Sequence, residues 1–187
     1  MRSLIAAVIY MAFSLSAIPA YAGPVEDAAA LREGDMRKLI FHETPQAVTT
    51  AAFDHADGSK ATLENLQGKW ILLNFWATWC APCRHEMPML SELQEEFGGD
   101  AFDVVTIATG RNPPAAIGKF FDEVGISNLP HHRDPKQALA AQMGIFGLPI
   151  TVLISPEGEE VARLRGDADW SSDSAKAIIA ALTAPAS

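Results

Sequence analysis

Cys80 and Cys83 are the only cysteines in the 187-residue chain, and Ala81-Pro82 stands between them. A thiol pair this close either exchanges electrons with other disulfides or holds a soft metal. A structural disulfide framework needs more cysteines at wider spacing, and closing so short a loop constrains the unfolded chain little. Structural zinc asks for four ligands, and no second Cys-x-x-Cys completes the set. Haem attachment needs histidine directly after the second cysteine, where Arg84 stands. Redox exchange is the favoured chemistry, with Cu(I) held by both thiolates as the alternative.

The surrounding sequence says how the pair is presented. Trp70 to Trp76 is almost continuously apolar, the pattern of a strand buried on both faces. A helix is expected from Cys80 to about Phe97, where Gly98-Gly99 stops it. Cys83, Met87, Leu90 and Phe97 form its apolar stripe. Pro82 falls in the first turn, where a missing N–H costs nothing, and Pro88 should bend the helix. A helix N-terminus carries unpaired N–H groups and roughly half a positive charge. That charge favours the thiolate of Cys80. Cys83, three residues on, lies on the buried stripe. Cys80 is therefore expected to attack and Cys83 to resolve the mixed disulfide.

The remaining pattern alternates strands and helices. Gly23 to Asp35 reads as a loosely held leader with room for one turn of helix, and Lys38 to Phe41 as a short apolar run before Pro45. Phe53 and Lys60-Ala61 flank Asp57-Gly58, a hairpin signal, and Leu63 to Leu66 suggests one helical turn. A strand is expected at Phe102–Ala108 and a helix from Asn112 to Val124. After a short extended piece up to His132, a helix runs from Pro135 to Met143 with Asp134 as cap. Ile150–Ile154 and Glu160–Arg165 form a late hairpin, and a last helix spans Ser172 to Leu182. Such alternation implies an α/β fold with a central mixed sheet and helices on both faces. Trp70, Phe75, Trp76 and Trp170 read as packing. His131-His132 reads as a solvated loop, because neighbouring strand residues point apart. Asp167-Ala168-Asp169 reads as a turn and helix cap.

Composition is that of a globular protein: 49% apolar and 20% charged residues, with net charge −9. The acidic balance argues against nucleic acid and anionic lipid as partners. Residues 1–22 read as a targeting segment: Arg2, an apolar run from Leu4 to Ile18, then Ala20 and Ala22 at small-x-small positions, with cleavage before Gly23. An uncleaved membrane anchor is the alternative. Losing this segment removes one positive charge and takes the net charge to −10.

The stretch from Asn74 through Trp79-Cys80-Ala81-Pro82-Cys83 to Glu86-Met87-Pro88 resembles the active-site segment of the TlpA/ResA-like periplasmic thioredoxins. Gly147-Leu148-Pro149-Ile150-Thr151 is similar to that family's cis-proline loop. The resemblance implies a thioredoxin-like three-layer sandwich over residues 38–187, with an N-terminal β-hairpin extension, behind a leader at 23–37. It matches Cys80 and Cys83 to the redox pair, Trp79 to the flanking tryptophan and Pro149 to the cis-proline facing the disulfide. A cis bond there would leave the Leu148 backbone open to an extended substrate strand. Glu86 matches an acid of this branch, one helical turn beyond Cys83, where it could raise the thiol pKa or carry its proton. Cytosolic thioredoxins hold a buried aspartate where Asn74 stands. An amide cannot take that proton, which points further to Glu86.

The resemblance implies reduction of disulfides in exported proteins, apocytochrome c or copper-site assembly proteins among them. A membrane thiol carrier would supply electrons in the periplasm, and no bound cofactor is needed. A disulfide-donating oxidase, a Cu(I)-binding module and a thiol peroxidase are the competing readings. The paired cysteines argue against the last.

Overall fold

The computed structural model describes residues 22–185. The expected targeting segment, apart from Ala22, lies outside the described residues. The architecture is a mixed eight-stranded sheet with helices on both faces. Its strands are β1 (Leu39–Ala47), β2 (Phe53–Asp54), β3 (Lys60–Ala61), β4 (Trp70–Trp76), β5 (Phe102–Thr109), β6 (His132–Asp134), β7 (Ile150–Ile154) and β8 (Glu159–Arg165). The helices are α1 (Ala22–Ala30), α2 (Ala81–Phe97), α3 (Pro114–Val124), α4 (Ala138–Gln142) and α5 (Asp173–Thr183). Single 3₁₀ turns occupy Gly34–Lys38 and Leu63–Leu66.

The sheet order is β1-β8-β7-β4-β5-β6-β2-β3. β4 is central, parallel to β5 and antiparallel to β7. All seven β4 residues are buried, as its continuous apolar pattern requires. Successive side chains of a strand point to opposite faces, and this alternation splits the core in two. Trp70, Leu72 and Trp76 pack with α2, α3 and α5. Ile71, Leu73 and Phe75 pack on the other face with Leu139 and Ala140 of α4 and with Phe53 of β2. Asn74 follows the even-numbered set and so faces α2.

Three expectations are corrected. The segment read as a loose leader is the helix α1, whose Ala28 is fully buried against the α2/α5 side of the core; an alanine-rich stretch carries too little apolar periodicity to reveal its partner. The run before Pro45 does not stop there. β1 continues to Ala47 as an edge strand, and its register on β8 shifts between Phe41 and Gln46. Edge position and broken register are what let a strand hold a proline. His131-His132 is not a solvated loop. His132 begins β6 and is buried against Phe53 and His55, while the ring of His131 stacks on Phe121 with centroids 4.5 Å apart. Burial lowers the His132 pKa to about 4, with His55 adding a smaller push the same way.

The expected hairpin forms as β2–β3 at the far edge of the sheet. α4 begins at Ala138, later than Pro135. Asp134 still caps it, its carboxylate accepting from the N–H groups of Ala138 and Ala140, each at 2.9 Å. Ser172 caps α5, accepting from the Ala175 N–H at 3.3 Å.

Candidate active site

β4 ends at Trp76, and Ala77 to Trp79 turn the chain into α2. Cys80 is the N-cap residue in extended geometry, and its sulfur accepts from the Cys83 N–H at 3.3 Å. One of the unpaired donors at the helix start thus points at this sulfur. Cys80 and Cys83 are joined as a disulfide. Both are buried, but unequally: Cys83 is fully enclosed by the α2 face of the core, whereas Cys80 retains 6% exposure. Cys80 also borders a cavity of about 600 Å³, whose walls include Trp79, Thr109, Gln137 and Leu148. Trp79 is 67% exposed beside it.

The turn before Cys80 is braced from several sides. The Asn112 carboxamide oxygen accepts from the Thr78 N–H at 2.8 Å and the Thr78 hydroxyl at 3.0 Å, while its NH₂ donates to the Thr109 carbonyl at 2.7 Å. The Arg84 guanidinium lies 4.3 Å from the centre of the Phe120 ring. Phe120 and Phe121 each pack against Trp76 with centroids 5.4 Å apart. Aromatic pairs of this kind contribute about 0.5–1.5 kcal/mol beyond area burial. Asn112 read in sequence as a helix opener. Its side chain instead locks the cysteine turn, a role visible only once β5 lies beside β4.

Below the disulfide, Glu86 is completely buried. Three groups donate to its carboxyl: Asn74 Nδ2 to Oε1 at 2.8 Å, and Trp170 Nε1 at 3.2 Å and the Ala168 N–H at 3.3 Å to Oε2. Burial raises its pKa from 4.5 to about 7. The three hydrogen bonds pull the other way, and the nearby charge of Asp167 adds a smaller push upward. Asn74 also donates to Thr151 Oγ1 at 2.9 Å, and its own Oδ1 has no partner among the described residues. Asn74 is therefore a hydrogen-bonding core amide. Trp170 packs as expected, but its indole N–H is also a ligand to Glu86. In the turn read at 167–169, Asp169 bonds Ser171 while Ala168 serves Glu86. Nothing in the local sequence links positions 168 and 170 to position 86.

The Leu148-Pro149 peptide is cis. Pro149 is buried, Leu148 half-buried, and the Pro149 carbonyl accepts from the Gly166 N–H at 3.0 Å. Leu148 borders the disulfide cavity. The structure thus brings Asn74, Glu86 and Cys83 together on one side of the sheet, with Trp79 and Leu148 around Cys80.

Residues 44–162 match the AhpC/TSA family over more than half of the chain. The chain belongs to the AhpC/TSA family. Its curated relatives include thiol-disulfide oxidoreductases named ResA. The protein from Bacillus thuringiensis (strain Al Hakam) is 31% identical over 134 residues, 71% of this chain and 74% of the relative. That from Bacillus subtilis (strain 168) is 31% identical over 113 residues, 60% of this chain and 62% of the relative. Among solved structures, a thioredoxin-family thiol:disulfide interchange protein from Chlorobium tepidum TLS superposes with TM-score 0.61 at 25% identity, covering 75% of this chain and 99% of that one. The exposed lipoprotein thioredoxin Etrx1 from Streptococcus pneumoniae strain TIGR4 gives TM-score 0.58 at 27% identity, covering 72% and 98%. This AhpC/TSA member therefore has the thioredoxin-like α/β fold and is a thiol-disulfide oxidoreductase. Among the described residues no helix is long and apolar enough to cross a membrane.

Proposed function

We propose that this protein reduces disulfides in exported proteins, with Cys80 as nucleophile and Cys83 as resolving thiol. The observation that carries the reading is the asymmetry of the pair: one sulfur at a helix N-terminus on an open cavity, the other enclosed. The Cys80 thiolate attacks one sulfur of a substrate disulfide, forming a mixed disulfide and releasing the other sulfur as a thiolate. Cys83 then loses its proton and attacks Cys80 Sγ. The internal disulfide closes and the second substrate sulfur leaves. Two electrons pass to the substrate, and an external dithiol must return them.

Glu86 is the candidate acceptor for the Cys83 proton, because its carboxyl titrates near neutrality and lies one helical turn from Cys83. Asn74 positions that carboxyl. Pro149 and Leu148 seat the substrate strand, and Trp79 covers its flank. Residues 1–22 direct export, and the thioredoxin-like domain spans 38–187 with α1 packed against its core. The periplasm is the working compartment and a membrane thiol carrier the electron donor. Apocytochrome c and copper-site assembly proteins are the target classes that the resemblance to TlpA/ResA-like proteins favours.

Trapping tests the reading. Cys83→Ser should accumulate mixed disulfides with partner proteins through Cys80, whereas Cys80→Ser should capture none. Capture by Cys80→Ser alone would reverse the roles. A reduction potential near the oxidising end of the range for such proteins, about −120 mV, would replace the reductase reading with that of an oxidase.

A further inference from the structure

A second cavity, of about 790 Å³, adjoins the disulfide cavity and shares Phe146, Gly147 and Leu148 with it. Phe146 is 91% exposed on the rim between them. The wall of this second cavity is charged. Arg163 donates through Nε to Glu160 Oε1 at 2.8 Å and through Nη2 to Oε2 at 2.7 Å. His42 Nε2 meets the same Oε1 at 2.8 Å. Residues three apart on a regular strand point to opposite faces. Here the register runs from Leu153↔Ala162 to Ile154↔Glu160 and passes over Val161. That one-residue bulge brings Glu160 and Arg163 to the same face.

The pair neutralises itself, which leaves Arg165. Arg165 lines the same cavity two residues beyond Arg163, is exposed, and has no carboxylate partner among the described residues. It lies opposite Ile150, two residues past Leu148 and so roughly 7 Å along an extended chain. In a protein of net charge −9, an unpaired cation beside the cis-proline loop selects for negative charge.

We propose that this cavity is a specificity subsite that takes an acidic side chain two or three residues from the cysteine of a peptide disulfide, with Arg165 as its counter-charge. The proposal rests on the reading of Cys80 as the attacking sulfur and of the cis-proline loop as the substrate seat. The occupant is a peptide carboxylate. Phe146 covers the apolar part of the bound segment, and the compensated His42–Glu160–Arg163 wall accepts its polar backbone.

The test uses the pre-reduced protein in single turnover. The substrates are cyclic cystine peptides carrying Asp, Ala or Lys at positions two and three from one cysteine. The Asp peptide should react up to about fivefold faster than the Ala peptide, the upper end of the range for an exposed ion pair, and the Lys peptide slower than both. Raised salt should shrink the spread. Arg165→Glu should invert the order, and Arg165→Gln should flatten it. Arg37→Glu, the same charge change on an exposed residue outside the cavity, should preserve the order. Equal rates for all three peptides with the wild-type protein, or an unchanged order in a folded Arg165→Glu, would overturn the subsite and leave the reductase reading standing. No reaction with any peptide would overturn both.

Discussion

Glu86→Gln exchanges a buried group that titrates near neutrality for one of similar shape that does not titrate. The pKa of Glu86 rises from 4.5 to about 7, chiefly through burial. Each tenfold change in proton affinity is about 1.4 kcal/mol, so the effect on stability is about 3 kcal/mol. The sign follows from which state holds the proton. Below about pH 4.5 both folded and unfolded chains are protonated, and the group contributes nothing. Between 4.5 and about 7 the unfolded chain ionises while the folded chain keeps its proton, so unfolding becomes easier as pH rises. Above about 7 the folded carboxyl ionises too, and the penalty is full and constant. Wild-type stability should therefore fall by about 3 kcal/mol relative to Glu86→Gln across that window. The glutamine also introduces a pH-independent offset, because all three neighbours of this carboxyl donate and its NH₂ must oppose one of them. Asn74 can relieve the conflict by turning its unpartnered Oδ1 inward. Urea denaturation of both oxidised proteins at fixed ionic strength, from pH 4 to 9, separates slope from offset. Curves that stay parallel within about 0.5 kcal/mol would refute the assignment of a neutral-range proton to Glu86.

Asn74→Asp places a second carboxyl within hydrogen-bond reach of Glu86. Two buried carboxyls that close hold one proton between them, so the variant should lose stability more steeply than wild type above pH 7, read by the same urea series. Arg163→Met strips the bidentate partner from buried Glu160 and should cost about 3–5 kcal/mol, while adding Glu160→Gln should restore most of it; an additive double variant would show that the two do not interact. Asp134→Ala removes the carboxylate that accepts from Ala138 and Ala140. It should cost about 1–2 kcal/mol, measured by thermal unfolding, with faster amide exchange confined to α4.

The redox pair was legible because its signal is local. Cys-x-x-Cys, proline in the first turn, an apolar strand before and a 3.6-residue stripe after all fall within a short stretch of chain, and each points to the same strand-to-helix junction. Ile150–Ile154 was legible for the same reason: five residues, four of them β-branched, directly after a proline. What the chain did not reveal locally was who meets whom. The partners of Glu86 lie 12, 82 and 84 residues away, so burial and three converging donors, not its helical position, decide its protonation. The Glu160–Arg165 strand was legible as half of a late hairpin, but the meeting of Arg163 with Glu160 was not, because it needs the bulge that turns both to one side. His132 looked like half of a polar loop and is buried because β2 pairs across β6. Sequence alone determined where the two sulfurs sit, since spacing along one element sets which lies at the helix end and which on its stripe. Only the tertiary structure decided where the protons and the spare positive charge sit, because both depend on desolvation by segments remote in the chain.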